Sequence, residues 1–190
     1  VMLNKLTRDL SVQHVNDIAE SSRLFAMADL AMADVIIAVW NDKAHYVFWR
    51  PSTAIQNGEF DGNPNTAGDP AWTPLIANPP YPDHTSGANG ITAAGTRALE
   101  NFFRTDRMEM LITTTNTVPT NQDTRSFSRF SDVAQEVVDA RIYLGIHFRF
   151  ADEGSRRLGR RVADFGSRNY FRPFRDKASE ASFVDSVARR

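Results

Sequence analysis

Lys43 and Arg50 stand seven residues apart in the run Lys43-Ala44-His45-Tyr46-Val47-Phe48-Trp49-Arg50-Pro51. That spacing is two helical turns, so both charges fall on one side of a helix. The side is apolar: Phe25, Ala28, Met32, Ile36 and Val39 recur three or four apart, and the same stripe continues through Lys43, Tyr46 and Arg50. A third cation repeats the pattern. On a later helix Ala134, Val137, Val138, Ile142 and Gly145 share one arc with Arg141 in its middle, while Asp132, Gln135, Glu136 and Asp139 occupy the other. Unpaired buried charge is costly, so three inward cations require an anionic partner. Guanidinium suits the oxygens of a phosphate-like anion. The plainer alternative is pairing with buried carboxylates, and Asp29 lies on the same stripe.

The segment from Pro79 to Gly90 (PPYPDHTSGANG) adds a complementary feature. Thr85 or Ser86 is a good N-cap, the backbone N–H groups that follow have no intrahelical acceptor, and Gly87 and Gly90 let a ligand approach the backbone. Such a helix start is an anion cradle. His147, six residues after Arg141, is a side chain that attacks phosphorus or coordinates a metal oxyanion; its structural alternative is packing near a helix end. Asp152 either hydrogen-bonds the second ring nitrogen of His147 or caps the fourth helix, and the cap is the expected role. His84 sits at the mouth of the cradle, two residues before Ser86, whereas His14 and His45 are expected at the surface. The basic run Arg156-Arg157-Leu158-Gly159-Arg160-Arg161 reads as a solvated helix face and not as a nucleic-acid site, since the net charge is −1.

Four helical segments must position these residues. The first spans about Ser11 to Trp49, broken somewhere because helices of that length are rare, and Pro51 stops it. Residues 56–84 hold six of the nine prolines and three of the ten glycines, a long irregular connection of the kind that is usually functional. The second helix runs from near Ser86 to about Arg104, with Ile91, Ala94, Ala98, Leu99 and Phe102 apolar. Residues 105–130 read as a Thr- and Asn-rich loop in which Met110 to Thr115 is the best strand candidate. The third helix spans roughly Ser131–Phe148 and the fourth roughly Asp152–Phe171, with a short amphipathic tail after Pro173. The fold class is all-α, a helical bundle with two long loops.

At 190 residues the chain holds one well-filled domain, and its 42% hydrophobic and 24% charged residues are ordinary for a globular protein. With no cysteine, disulfide and thiolate chemistry are excluded. No uninterrupted apolar run reaches the roughly 18 residues of a membrane span. The chain starts at Val1 with no leader, which reads as a mature or trimmed portion of a longer product; secretion or the periplasm is the suspected location.

Lys43, six residues and then Arg50-Pro51; Ser86-Gly87 at a helix start; Arg141, five residues and then His147: in this order the motifs resemble the superfamily of type 2 phosphatidic acid phosphatases and vanadium-dependent haloperoxidases. Phe48-Trp49-Arg50-Pro51 and Gly145-Ile146-His147-Phe148-Arg149 are more similar to the soluble haloperoxidase branch. The resemblance implies a helical bundle of the acid phosphatase and haloperoxidase type. It implies that Lys43, Arg50 and Arg141 neutralise the oxygens of vanadate or phosphate, that Ser86 and the Gly87 N–H donate to them, and that His147 binds vanadium or attacks phosphorus. The implied partners are small molecules, peroxide with halide or a phosphoester. Two positions depart from the family. Ala88 replaces the histidine of Pro-Ser-Gly-His, which acts as general acid-base, and Ala140 replaces a serine before the last arginine. General acid-base help is worth roughly 10²–10⁴-fold, so the loss at Ala88 weighs heavily. His84 from the loop, or Asn89 as a donor that does not titrate, is the available substitute. Three functions follow from the resemblance: a vanadate-dependent haloperoxidase, an acid phosphatase working through phosphohistidine, and an oxyanion-binding domain with little or no turnover.

Overall fold

The structure is a computed structural model that describes residues 2–113 and 124–171. Its helices are α1 (Met2–His14), α2 (Ile18–Tyr46), α3 (Pro51–Gln56), α4 (Gly87–Phe103), α5 (Phe130–Tyr143) and α6 (Arg149–Asn169), and a hairpin of β1 (Arg107–Thr113) and β2 (Thr124–Arg129) joins α4 to α5. The all-α bundle expected from the sequence is therefore present, with a small antiparallel sheet added to it.

The expected long first helix is two helices. Asp17 accepts a hydrogen bond from the Glu20 N–H at 2.8 Å and caps α2, an Asp-x-x-Glu start that ends any continuous reading through His14. At the other end Val47 turns left-handed (φ 44°) and closes α2. Pro51 does not stop a helix; it opens α3, at a first-turn position that needs no N–H.

The buried side of α2 is Leu24, Met27, Ala28, Ala31, Val35, Val39 and Lys43, while Ile36, Tyr46 and Asp29 are exposed. The expected stripe was thus right at Ala28, Val39, Lys43 and, past the helix end, Arg50; it was off by one residue at Phe25, Met32 and Ile36, and Tyr46 is exposed. The cause is the opposite face, which is also apolar: Leu30, Ile37 and Trp40 lie exposed along it. Length and composition alone make Ile18–Gln56 capable of crossing a membrane, with a third of its apolar window buried in the bundle. Uninterrupted apolar runs had signalled no such segment.

Packing centres on α4, which lies chiefly against α6 and α2. Ala94, Ala98 and Ala163 join Met27, Ala31, Val35 and Val39 in one core cluster. A second cluster unites Leu3, Leu6, Leu10, Leu24, Leu99, Met110, Ile112, Phe130 and Val133. Small residues let the backbones approach: a Cβ on Gly159 would meet Gly90 O at 2.4 Å and Ala94 N at 2.8 Å. Arg97 Nε on Asp164 Oδ1 (2.7 Å) and Asn101 Nδ2 on the same oxygen (3.0 Å) pin α4 to α6.

Two expectations fail around α5. The stretch read as loop holds the hairpin, whose inward side is Met110 and Ile112. Residues 114 and 115 of the expected strand, and the tail after Pro173, lie outside the described residues. The third helix ends at Tyr143, five residues early, because Gly145 (φ 74°) turns the chain. A Cβ there would meet the Trp72 ring at 2.9 Å, so the long loop packs where only glycine fits. His147 is consequently in the turn between α5 and α6 and not on a helix.

Candidate oxyanion site

Four pieces of chain converge: the C-terminal end of α2, the loop before α4, the start of α4, and the α5–α6 turn. The long loop is held in place by its backbone, with Asp69 N on Ile55 O (2.8 Å), Leu75 N on Leu144 O (3.0 Å) and Asp83 N on Phe48 O (2.9 Å).

Lys43 is 1% exposed and donates to Pro82 O (2.6 Å) and Asp83 O (3.0 Å). Burial, reinforced by the positive charge of Arg50, pulls its ammonium down to about 8. Arg50 donates through Nε to Tyr81 O (2.9 Å) and through Nη1 to Ile146 O (2.7 Å). Both cations lie over the Tyr81 ring, 5.0 and 5.1 Å from its centre. They stitch the loop to the bundle as well as charging it. Arg141, at the end of α5, keeps a buried Nε with no hydrogen-bond partner among the described residues. Burial lowers the pKa of Arg50 and Arg141 alike, and each of Lys43 and Arg50 feels the charge of Arg141.

His147 is buried, with Nδ1 2.5 Å from Asp83 Oδ1 and Nε2 3.3 Å from Arg50 Nη1. The Asp83 contact is short but off the line of a straight hydrogen bond. Burial lowers the His147 pKa, against the opposing pull of Asp83, so the ring is neutral at neutral pH. A neutral ring with its proton held on Nδ1 presents the Nε2 lone pair. Asp83 is fully buried and also 4.0 Å from Arg50 Nη1. Sequence reasoning missed it. The signal lay in the cradle segment itself, in an aspartate between prolines and His84 in a stretch that had to be buried to reach the cations.

Asp152 was expected to cap the fourth helix or to orient His147, and it does neither. Phe148 occupies the N-cap position of α6, and the Asp152 carboxyl points to α4, accepting from Asn89 Nδ2 at 2.7 Å. Ser86 is the N-cap residue of α4, yet its side chain makes no capping bond; its Oγ lies 3.2 Å from the same Asn89 Nδ2. Thr85 turns away to donate to Asp42 (3.3 Å). At Gly87 a Cβ would meet nothing within 4 Å, so the helix start is open. His84 is half-buried between the Tyr46 and Phe150 rings (4.9 and 5.6 Å between centres), with Asp42, Asp83 and Lys43 as charged neighbours; burial lowers its pKa. His14 and His45 are exposed, as expected. In the basic run Arg156 reaches Gln135 and Arg160 reaches Glu100 on the helix surface.

The plain alternative for the cations, carboxylate pairing, is present in part: Asp83 and Asp152 accompany Lys43, Arg50 and Arg141, against three positive charges. The chemistry of the donor set fits a metal held as its oxyanion, not a bare cation. Among the described residues no three His, Cys, Asp or Glu converge, whereas cations, helix-start N–H groups and one neutral imidazole do. The unpartnered buried Arg141 Nε is a donor of the kind such an anion satisfies.

The helical bundle itself places the chain in a known family. The chain matches the family model of the VCPO second helical-bundle domain over residues 23–176 and belongs to that family. It is similar to vanadium chloroperoxidase of Curvularia inaequalis, 37% identical over 93 residues, which is 44% of this chain and 14% of that one. A solved structure of a bacterial vanadium-dependent iodoperoxidase superposes with TM-score 0.72 at 29% identity, covering 86% of this chain and 37% of that one. The apo form of a bacterial vanadium-dependent chloroperoxidase superposes with TM-score 0.70 at 16% identity, covering 85% and 40%, which speaks for the fold alone. The chain thus spans well under half the length of these relatives.

Proposed function

We propose that the chain carries the oxyanion centre of a vanadate-dependent haloperoxidase, an enzyme oxidising halide with hydrogen peroxide. The observation carrying the proposal is the buried His147, its Nδ1 2.5 Å from Asp83 Oδ1, beside the buried Lys43 and Arg50 and a half-buried Arg141 whose Nε has no hydrogen-bond partner among the described residues. Lys43, Arg50 and Arg141 neutralise the anion's oxygens, Ser86 and the Gly87 N–H donate to them, and His147 Nε2 is the ligand to vanadium. Bound vanadate supplies the Lewis acidity that activates peroxide. Phosphate meets the same residues, which keeps a phosphatase with His147 as nucleophile as the second reading. Ala88 gives the third, an anion binder with little turnover.

Bromination of a phenol dye with vanadate and peroxide tests the first reading, and His147→Ala should abolish it. Hydrolysis of an aryl phosphate, whose leaving group needs little acid assistance, tests the second. If both assays are blank while vanadate raises the melting temperature, the domain is an anion binder. Ala88→His should raise turnover toward the roughly 10²–10⁴-fold range of acid-base help. An unchanged rate would show that proton transfer at this position does not limit the reaction.

A further inference from the structure

Ala88 leaves the cradle without an acid-base group at its usual place, while a buried acid nearby has no role in the reading above. Asp152 is 0% exposed. Its Oδ1 accepts from Asn89, and its Oδ2 has no hydrogen-bond partner among the described residues. The Ser86 hydroxyl lies beside the same carboxyl, since Asn89 Nδ2 donates to Ser86 Oγ (3.2 Å) as well as to Asp152 Oδ1 (2.7 Å). An ionised Asp152 therefore competes for the hydrogen that Ser86 would give an anion. Formal charge makes the same point. Three cations less Asp83 leave two positive charges, the complement of a tetrahedral dianion; an ionised Asp152 leaves only one. A proton on Oδ2 removes the excess and gives the orphaned oxygen a hydrogen to donate to Ser86.

We propose that Asp152 takes up a proton from solvent as a tetrahedral oxyanion binds, donates it as a hydrogen bond to Ser86 Oγ, and so turns the Ser86 hydroxyl toward the anion. The inference rests on the oxyanion reading. It makes Asp152 a positioning residue, acting on the anion through Ser86. Burial raises the carboxyl to about 6; Ser86, Asn89 and Arg141 oppose the rise and Asp83 adds to it, so the proton is accessible near neutrality. The other charged or titratable groups facing this cluster are Lys43 from α2, Arg50 ahead of α3, Tyr81 and Asp83 from the loop, Arg141 from α5 and His147 from the turn.

Calorimetric titration of the chain with sulfate, which has no proton to exchange near neutrality, counts protons when run in two buffers of different ionisation heat. The wild type should take up about one proton near pH 7 and progressively less toward pH 5, its affinity falling up to roughly tenfold per pH unit above about 6. Asp152→Asn should bind at least as tightly near pH 7.5 and lose that part of the uptake and slope. Any contribution of Lys43 and His147 persists in the variant and is subtracted. If Asp152→Asn does not fold, Asn89→Ala serves instead: it deletes a donor that favours the ionised form, so half-uptake should move to higher pH. No uptake by the wild type near pH 7, equal pH slopes in wild type and Asp152→Asn, or an unmoved midpoint in Asn89→Ala overturns the inference while leaving the oxyanion reading intact. No binding of sulfate or vanadate at any pH overturns both.

Discussion

Asp83 Oδ1 lies 2.5 Å from His147 Nδ1, and a carboxylate on that side of the ring favours the proton there and leaves the Nε2 lone pair toward Arg50. Asp83→Asn preserves the packing but removes the charge, and the amide can face the ring with either end. We expect vanadate affinity to fall roughly 10–100-fold, as for other partners of metal-ligating histidines, with ¹⁵N shifts of His147 showing a mixture of tautomers. Unchanged affinity and a single tautomer would mean that Arg50, 3.3 Å from Nε2, fixes the ring by itself. Most of the cluster was legible at this scale, because lysine and arginine on apolar arcs are conspicuous against a sequence that otherwise segregates charge. Asp83 and the true direction of Asp152 were not. A carboxylate in a loop has no periodicity to betray its burial, and one in the first turn of a helix looks like an ordinary cap.

Helix α4 carries the cradle, and its distance from α6 sets where Ser86 and Asn89 meet Asp152. That distance is fixed by glycine. Gly159→Ala places a methyl 2.4 Å from Gly90 O and 2.8 Å from Ala94 N, backbone atoms that cannot rotate away. The substitution should cost about 1–3 kcal/mol and weaken anion binding as α4 is pushed aside. Gly166→Ala, on the same helix with open space around it, should instead stabilise by about 0.5–1 kcal/mol. Equal melting temperatures for the two variants in thermal denaturation would refute the close crossing. The start of α4 was readable from Ser86-Gly87, since a cap followed by small residues is a local signal. The end of α5 was not, because Gly145 suits the apolar arc of a helix as well as the left-handed turn it makes against Trp72. β2 was equally silent: Thr124–Arg129 is exposed apart from a half-buried Phe127, so no alternation marks it.

Across the whole molecule, charge near balance conceals a local excess of buried cations whose effect on stability has a definite pH signature. Asp152 is raised from 3.8 to about 6, so between those values the folded chain holds more protons than the unfolded one and stability falls as pH rises. Lys43 is lowered from 10.5 to about 8, so between about 8 and 10.5 the folded chain holds fewer protons and stability recovers as pH rises. These two groups together produce a trough between about pH 6 and 8, where both are ionised in the fold and burial opposes both. A tetrahedral anion is attracted to Lys43 and, with the proton uptake argued above, discharges Asp152, so it should fill the trough. Stabilisation follows ligand concentration and reaches about 2.7 kcal/mol at a hundred times the dissociation constant. Urea unfolding at pH 5, 7 and 10, with and without phosphate, measures it. The anion-free chain should be least stable at the middle pH and gain most from phosphate there, and a Lys43→Met, Asp152→Asn double variant should show neither the trough nor the gain. A flat profile in the wild type would mean that water reaches Lys43 and Asp152 in the fold, which would remove the electrostatic demand for an anion at its centre.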